Sequence, residues 1–143
     1  MEQIPNIDIN TPIEMLNAVN QNTLMGQLGI EYTAVDEQSV TATMPVDKRT
    51  TQPMGILHGG ANLALAETIA GLGSALYIDL NQFTAVGSQV AANHIGTATS
   101  GLVTAKATII HQGRRTHVWN VDICNDQGDL ISSCRVTNMI IER

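Results

Sequence analysis

Gln52-Pro53-Met54-Gly55-Ile56-Leu57-His58-Gly59-Gly60 runs straight into Ala61-Asn62-Leu63-Ala64-Leu65-Ala66-Glu67-Thr68, and the junction between them decides how the rest of the chain is read. Pro53 and Gly55 mark residues 47–57 as a loop. From His58-Gly59-Gly60 onward the sequence predicts a long helix of small residues reaching about Tyr77. That helix is apolar nearly all round, so it belongs inside the fold. Its Ala and Gly residues permit close approach by a sheet or by a second helix. One carboxylate, Glu67, interrupts the apolar run, and burying an unpaired charge is costly.

Working outward, Thr11-Pro12-Ile13-Glu14 predicts a helix start, with Thr11 as cap, Pro12 in the first helical position and Glu14 completing a capping box. Ile13, Leu16 and Val19 give this short helix one apolar face, and the region Gly26 to Gly29 ends it. Ile30 to Val35 and Ser39 to Val46 read as a hairpin turning at Asp36-Glu37-Gln38. Beyond the long helix come strand-like segments at Thr84 to His94, Leu102 to Gly113, Thr116 to Asn125 and Asp129 to Ile141. Helix, hairpin, buried helix and a run of antiparallel strands indicate one α+β domain over residues 1–143, an antiparallel sheet wrapped around a long central helix. Residues 1–10 are expected to be poorly ordered. Open sheet edges would pair with a neighbour, which favours side-by-side dimerisation.

Composition narrows the functional classes. Hydrophobic residues make up 43% of the 143 and charged residues only 14%, so part of the surface is expected to be covered by another subunit. The aromatic share is 3% and the net charge −6, which argues against base stacking and against a nucleic-acid partner. The cation pairs Lys48-Arg49 and Arg114-Arg115 could hold one small phosphorylated ligand, or could merely solvate loops. Cys124 and Cys134 flank the turn signal Asn125-Asp126-Gln127-Gly128, and tight pairing there would place Cys124 near Asp129 and Cys134 near Trp119. Two unpaired cysteines fit a reducing cytoplasm, and no His/Cys pattern suggests a metal. Met1 to Asn10 lacks the pattern of a signal peptide, and the apolar stretch Ala61 to Leu76 is broken by Glu67 and too short to span a membrane, so a soluble cytoplasmic protein is expected.

The helix start carries the first chemical expectation. Its leading N–H groups lack partners within the helix and, with the dipole, favour a developing negative charge. Glycine at 59 and 60 lets a carbonyl reach them, which would make an oxyanion hole with no side-chain donor. Glu67 shares its helix face with Gly60, Ala64, Gly71 and Ser74, so the groove beside it is lined by small groups. A solvated helix face or a hydrogen-bonded buried Glu would account for Glu67 equally well. Gly60 and Glu67 are seven residues apart, roughly 10 Å along the axis, whereas a reacting carbonyl must lie about 3 Å from both nucleophile and donor. The spacing therefore favours Gly60 of one chain meeting Glu67 of another across two antiparallel helices.

Gln52, His58-Gly59-Gly60 and Leu65-Ala66-Glu67-Thr68 resemble the signature of hotdog-fold acyl-CoA thioesterases, in the branch that holds phenylacetate-pathway, Arthrobacter-type hydroxybenzoyl-CoA and 1,4-dihydroxy-2-naphthoyl-CoA thioesterases. The likeness extends through Leu24-Met25-Gly26, Val86-Gly87-Ser88, Asn93-His94 and Gly113-Arg114-Arg115-Thr116. It implies Glu67 as nucleophile or general base, the Gly60 N–H polarising the thioester carbonyl beside Gly59, His58 supporting that loop and Gln52 contacting the carbonyl or acyl group. It further implies Arg114 and Arg115 near CoA phosphates, a site shared by two subunits, a tetramer built as a dimer of dimers, and no metal or organic cofactor. His94, read as alternating in phase with Val86, Val90 and Ala92, is a secondary candidate for the acyl pocket or an ordinary half-buried histidine.

Two departures from the family pattern stand out. Gly71 occupies a position where relatives often carry a water-placing Ser or Thr, leaving Ser74 as a substitute one turn on. Gly96-Thr97-Ala98-Thr99 replaces a basic residue and Pro, so acyl-carrier-protein substrates stay open. The expected reaction is hydrolysis of an acyl-CoA ester with an aromatic or medium-chain acyl group, and dihydroxynaphthoyl-CoA of menaquinone synthesis is the first substrate to test. The rivals are a hotdog hydratase or dehydratase and a noncatalytic acyl-CoA binding module.

Overall fold

The computed structural model describes residues 5–143. Two short helices, α1 (Ile13–Ala18) and α2 (Leu24–Leu28), precede the hairpin β1 (Glu31–Val35) and β2 (Ser39–Pro45). The long helix α3 (Gly59–Ala75) follows, and then β3 (Phe83–His94), β4 (Leu102–Gln112), β5 (Thr116–Cys124) and β6 (Leu130–Glu142). Six strands form one sheet in the order β1-β2-β4-β5-β6-β3, antiparallel throughout, with α3 lying against one face. This is the hotdog arrangement. No helix among the described residues is long and apolar enough to cross a membrane.

Period decides which side chains meet. The buried positions of α3 are Ala61, Asn62, Leu65, Ala66, Ile69, Ala70, Gly73 and Ser74, a stripe at helical spacing. Facing it are alternate residues of the strands, among them Val40, Ala42 and Met44, then Val103, Ala105 and Ala107, then Trp119, Val121 and Ile123. Trp119 is the bulkiest fully buried side chain, and the sheet can approach the helix there only because position 73 is glycine: a methyl group would run into the indole ring. The indole stacks on Tyr77 with centroids 5.9 Å apart, and its Nε1–H donates to Ser74 Oγ at 2.9 Å.

Several local expectations are corrected. Thr11 does not cap α1, because its hydroxyl accepts the Asp8 N–H at 2.9 Å and the helix starts after Pro12 with no side-chain cap. Leu16 is buried as expected but Val19 is exposed. The entry segment ends within the region expected, at Gly29, whose φ of 72° is the left-handed cap that glycine permits, but it holds an extra turn, α2, that includes Gly26. The turn holds one residue more than expected, so Cys124 faces Leu130, and an irregularity between Ile123 and Cys124 shifts the register by one more, so Cys134 faces Val121. Both cysteines are free. Within the stretch expected to be poorly ordered, Ile7 and Ile9 pack on the core, while residues 1–4 lie outside the described part.

Candidate active site

Glu67 stands on the exposed flank of α3, away from the buried stripe. Its carboxylate rests over Gly87 of β3, where a methyl group would collide with Oε1. Glycine within a strand signals close approach or a bulge, and both occur here, since the β3–β6 register slips between Gly87 and Gln89. That slip also corrects the reading of β3. Val90, Ala92 and His94 share the inward face, but Val86 lies on the other side of the bulge and is 40% exposed.

At the start of α3, His58 is the cap residue. Its N–H donates to Thr50 O at 2.8 Å, its carbonyl accepts the Ala61 N–H at 2.9 Å, and its Nδ1 accepts the Gly60 N–H at 2.8 Å. The ring therefore ties down its own loop, and in doing so it occupies the donor that the sequence assigned to the substrate carbonyl. Gly59 is the leading residue whose N–H has no hydrogen-bond partner among the described residues. A methyl on Gly59 would stand 2.7 Å from His94 Nε2, so the end of β3 and the start of α3 are close here and a side chain at 59 would displace the His94 ring. His94 thus joins His58 and Gly59 in one cluster. Gln52 borders the same loop in a tight turn, its N–H donating to Ile56 O and its carbonyl accepting the Gly55 N–H, both at 2.9 Å.

Other assigned residues are distributed differently. Ala64, Thr68 and Gly71 are half-exposed on the Glu67 side of α3, and nothing lies within 4 Å of a methyl added at Gly71. Ser74 is no groove residue: it is fully buried, and its hydroxyl accepts from Trp119 Nε1 and from Asn138 Nδ2, each at 2.9 Å. Arg114 and Arg115 line a cavity of about 460 Å³ with Phe83, Met139, Ile141 and Glu142, near the α3 C-terminus rather than its start. Neither arginine forms an ion pair among the described residues, whereas Arg49 is held by Asp47 at 2.7 Å and is committed within its own loop. No cluster of His, Cys, Asp or Glu able to hold a metal occurs among the described residues.

Within one protomer Glu67 and Gly59 are eight residues apart, about 12 Å along the axis, and one chain does not bring them together. Sequence reasoning missed Ser132 as the neighbour of His94, and noted Gly87 only within the family likeness, not as the neighbour of Glu67. A glycine inside the strand was the available signal for Gly87, while Ser132 sat in what read as plain sheet. A profile of the thioesterase superfamily matches residues 54–132, the stretch carrying His58, Gly59, Glu67, Gly87, His94, Arg114, Arg115 and Ser132, while Gln52 lies just before it. The chain belongs to the thioesterase superfamily. It is 38% identical to the 1,4-dihydroxy-2-naphthoyl-CoA hydrolase of Escherichia coli, over 90% of this chain and 94% of that one. It is also 38% identical to the proofreading thioesterase EntH of Cronobacter turicensis, over 90% and 93% of the two chains. The crystal structure of a mutant of thioesterase PA1618 from Pseudomonas aeruginosa superposes with a TM-score of 0.91 at 42% identity, covering 99% of this chain and 98% of that one. This superfamily member is a thioester hydrolase.

Proposed function

We propose that this thioesterase hydrolyses an acyl-CoA ester to free acid and CoA at a site shared by two subunits. Glu67 of one chain acts as nucleophile or general base, and the helix start of the other polarises the carbonyl. The observation carrying this reading is the pairing of a free carboxylate on the exposed flank of α3 with an unoccupied Gly59 N–H at a helix start that His58 holds open. As general base, Glu67 takes a proton from the water that attacks the carbonyl carbon; as nucleophile, it attacks directly and water then hydrolyses the acyl–Glu67 anhydride to release the acid. In either case the oxygen gathers negative charge beside the Gly59 N–H, and the CoA thiolate leaves and is protonated to the thiol. The Gly59 donor replaces the Gly60 donor of the sequence reading.

The open surfaces support a shared site. β3 is a 12-residue edge strand with no charged residue and no proline, the devices that usually blunt an edge. At the opposite edge, β1 has 5 residues, a charged Glu31 and a register slip. Antiparallel pairing of two β3 strands would continue the sheet and set two α3 helices side by side, covering the half-exposed Leu63, Ala64, Gly71 and Leu72. It would also bring Glu67 of one chain toward Gly59 and His94 of the other, with Arg114 and Arg115 of the first chain at the mouth as CoA phosphate contacts. A dimer of such dimers gives the tetramer.

An aromatic acyl group is the proposed specificity, supported by the likeness to the Escherichia coli hydrolase, and dihydroxynaphthoyl-CoA heads a panel of aromatic and aliphatic CoA esters assayed by thiol release. Free thiol separates this activity from a hydratase or dehydratase, and turnover separates it from a binding module. Glu67→Gln keeps the shape and removes the charge, so turnover should fall at least about a hundredfold. Activity within a fewfold of the unmodified protein would remove Glu67 from the mechanism.

A further inference from the structure

His94 ends β3 on its inward face, directly across the ladder from Ser132 of β6. The imidazole is exposed in the protomer, but its anchor is not: Ser132 is fully buried, and its hydroxyl lies 2.9 Å from His94 Nδ1. The remaining ring nitrogen, Nε2, is the atom that a methyl on Gly59 would meet at 2.7 Å, so it faces the start of α3 where the Gly59 N–H is free. One nitrogen of the ring is thus held by the protein interior and the other is directed at the start of α3 beside Gly59.

Which nitrogen carries the proton depends on the direction of the hydrogen bond behind Ser132. The Cys134 sulfur is 3.5 Å from Ser132 Oγ. Burial pushes the Cys134 thiol up from its ordinary range, so the sulfur keeps its proton. Either atom can donate in that contact; with the thiol S–H as donor, the serine O–H is free to donate onward to Nδ1, and a neutral imidazole that accepts at Nδ1 carries its hydrogen on Nε2.

We propose that Ser132 is a positioning residue that fixes His94 in the Nε2–H form, aimed at the helix start, where it gives the thioester oxygen a second hydrogen bond beside the Gly59 N–H. The role in turnover rests on the reading of Glu67 and Gly59 given above, whereas the tautomer does not. A carbonyl oxygen has two lone pairs, and two donors converging on it hold the developing oxyanion in one orientation. The arrangement also gives position 59 a second reason to be glycine, because any side chain would push the ring off its serine.

Nitrogen-15 NMR of the histidine-labelled full-length protein above the imidazole titration range tests the assignment directly. The His94 ring should show the Nε2–H pattern, and Ser132→Ala should abolish its single-tautomer signature while circular dichroism and melting stay close to those of the unmodified protein. In the thioester assay Ser132→Ala should lower kcat about tenfold, the scale of one lost hydrogen bond, with KM little changed, and Ser132→Thr, which restores the hydroxyl, should recover most of it. A His94 ring in the Nδ1–H form, or a Ser132→Ala variant with unaltered tautomer and unaltered kcat, would overturn the proposal. Should Glu67→Gln prove active, the nucleophile or general-base role proposed for Glu67 fails while the NMR readout still decides the state of His94.

Discussion

Gly87→Ala tests the position of the catalytic carboxylate without touching it. Gly87 does not have a positive φ, so alanine fits the backbone. Replacing glycine in a strand should even add up to about 1 kcal/mol of stability by restricting the unfolded chain. The added methyl, however, falls on Glu67 Oε1. An exposed Glu relieves that overlap cheaply by rotating, at the expense of moving its carboxylate by about 1 Å, and a misplacement of that size can cost about a hundredfold in rate. A hundredfold corresponds to about 2.7 kcal/mol of lost transition-state stabilisation. The variant should therefore melt at or slightly above the unmodified temperature, keep its elution volume on size exclusion, and lose kcat in the thiol-release assay. A Gly87→Ala protein with kcat within a fewfold of the parent would refute the idea that Glu67 works from its place over β3.

Further outcomes follow from the same geometry. Mixing Glu67→Gln with Gly59→Val, each inactive alone, should regain activity, because a heterodimer keeps one site with both groups intact; verified heterodimers without turnover would place the site within one chain. Gly73→Ala drives a methyl into the Trp119 ring, an overpacking cost of about 1–3 kcal/mol that the gain in helix propensity only partly offsets. Denaturant unfolding should show a net loss, and unchanged stability would mean that the helix and sheet yield easily. His117 is buried with its Nδ1 unpartnered, and burial, with a smaller contribution from His111, holds its pKa below the ordinary imidazole range against the Gly113 backbone bond that raises it. The folded chain thus binds fewer protons at this residue than the unfolded chain, so its stabilising contribution is present above about pH 6.5 and is lost as the pH falls through the lower folded value. Melting temperatures should decline more steeply on acidification in the parent than in His117→Phe, and parallel slopes would contradict this.

Periodicity made much of the architecture legible before any coordinates. Helical spacing from His58 to Tyr77 and twofold alternation in the later segments depend on neighbours close in the chain, and the structure keeps both. Capping was less secure, because Thr11 had two competing donors within reach and satisfied the Asp8 N–H. Bulges were illegible for a related reason. A one-residue slip at Ser88 turned Val86 outward, and a longer turn together with a slip beside Cys124 carried Cys134 from Trp119 to Val121, since register is settled by how the whole strand packs.

The site divides along the same line. Glu67 and the glycine pair were visible because a charge in an apolar helix and a side-chain-free helix start conflict with simple packing, and such conflicts show in one dimension. Which glycine N–H stays free depended on where the His58 ring folded back, and Ser74 turned from groove to core because α3 rotates that face onto Trp119 and Asn138. The chain by itself settled a central helix bearing one acid, since spacing and hydropathy act over a few residues. Only the folded sheet decided that β3 lies at an open edge beside β6, with His94 over Gly59 and Gly87 under Glu67, because those contacts join residues far apart in sequence through packing that no local pattern encodes.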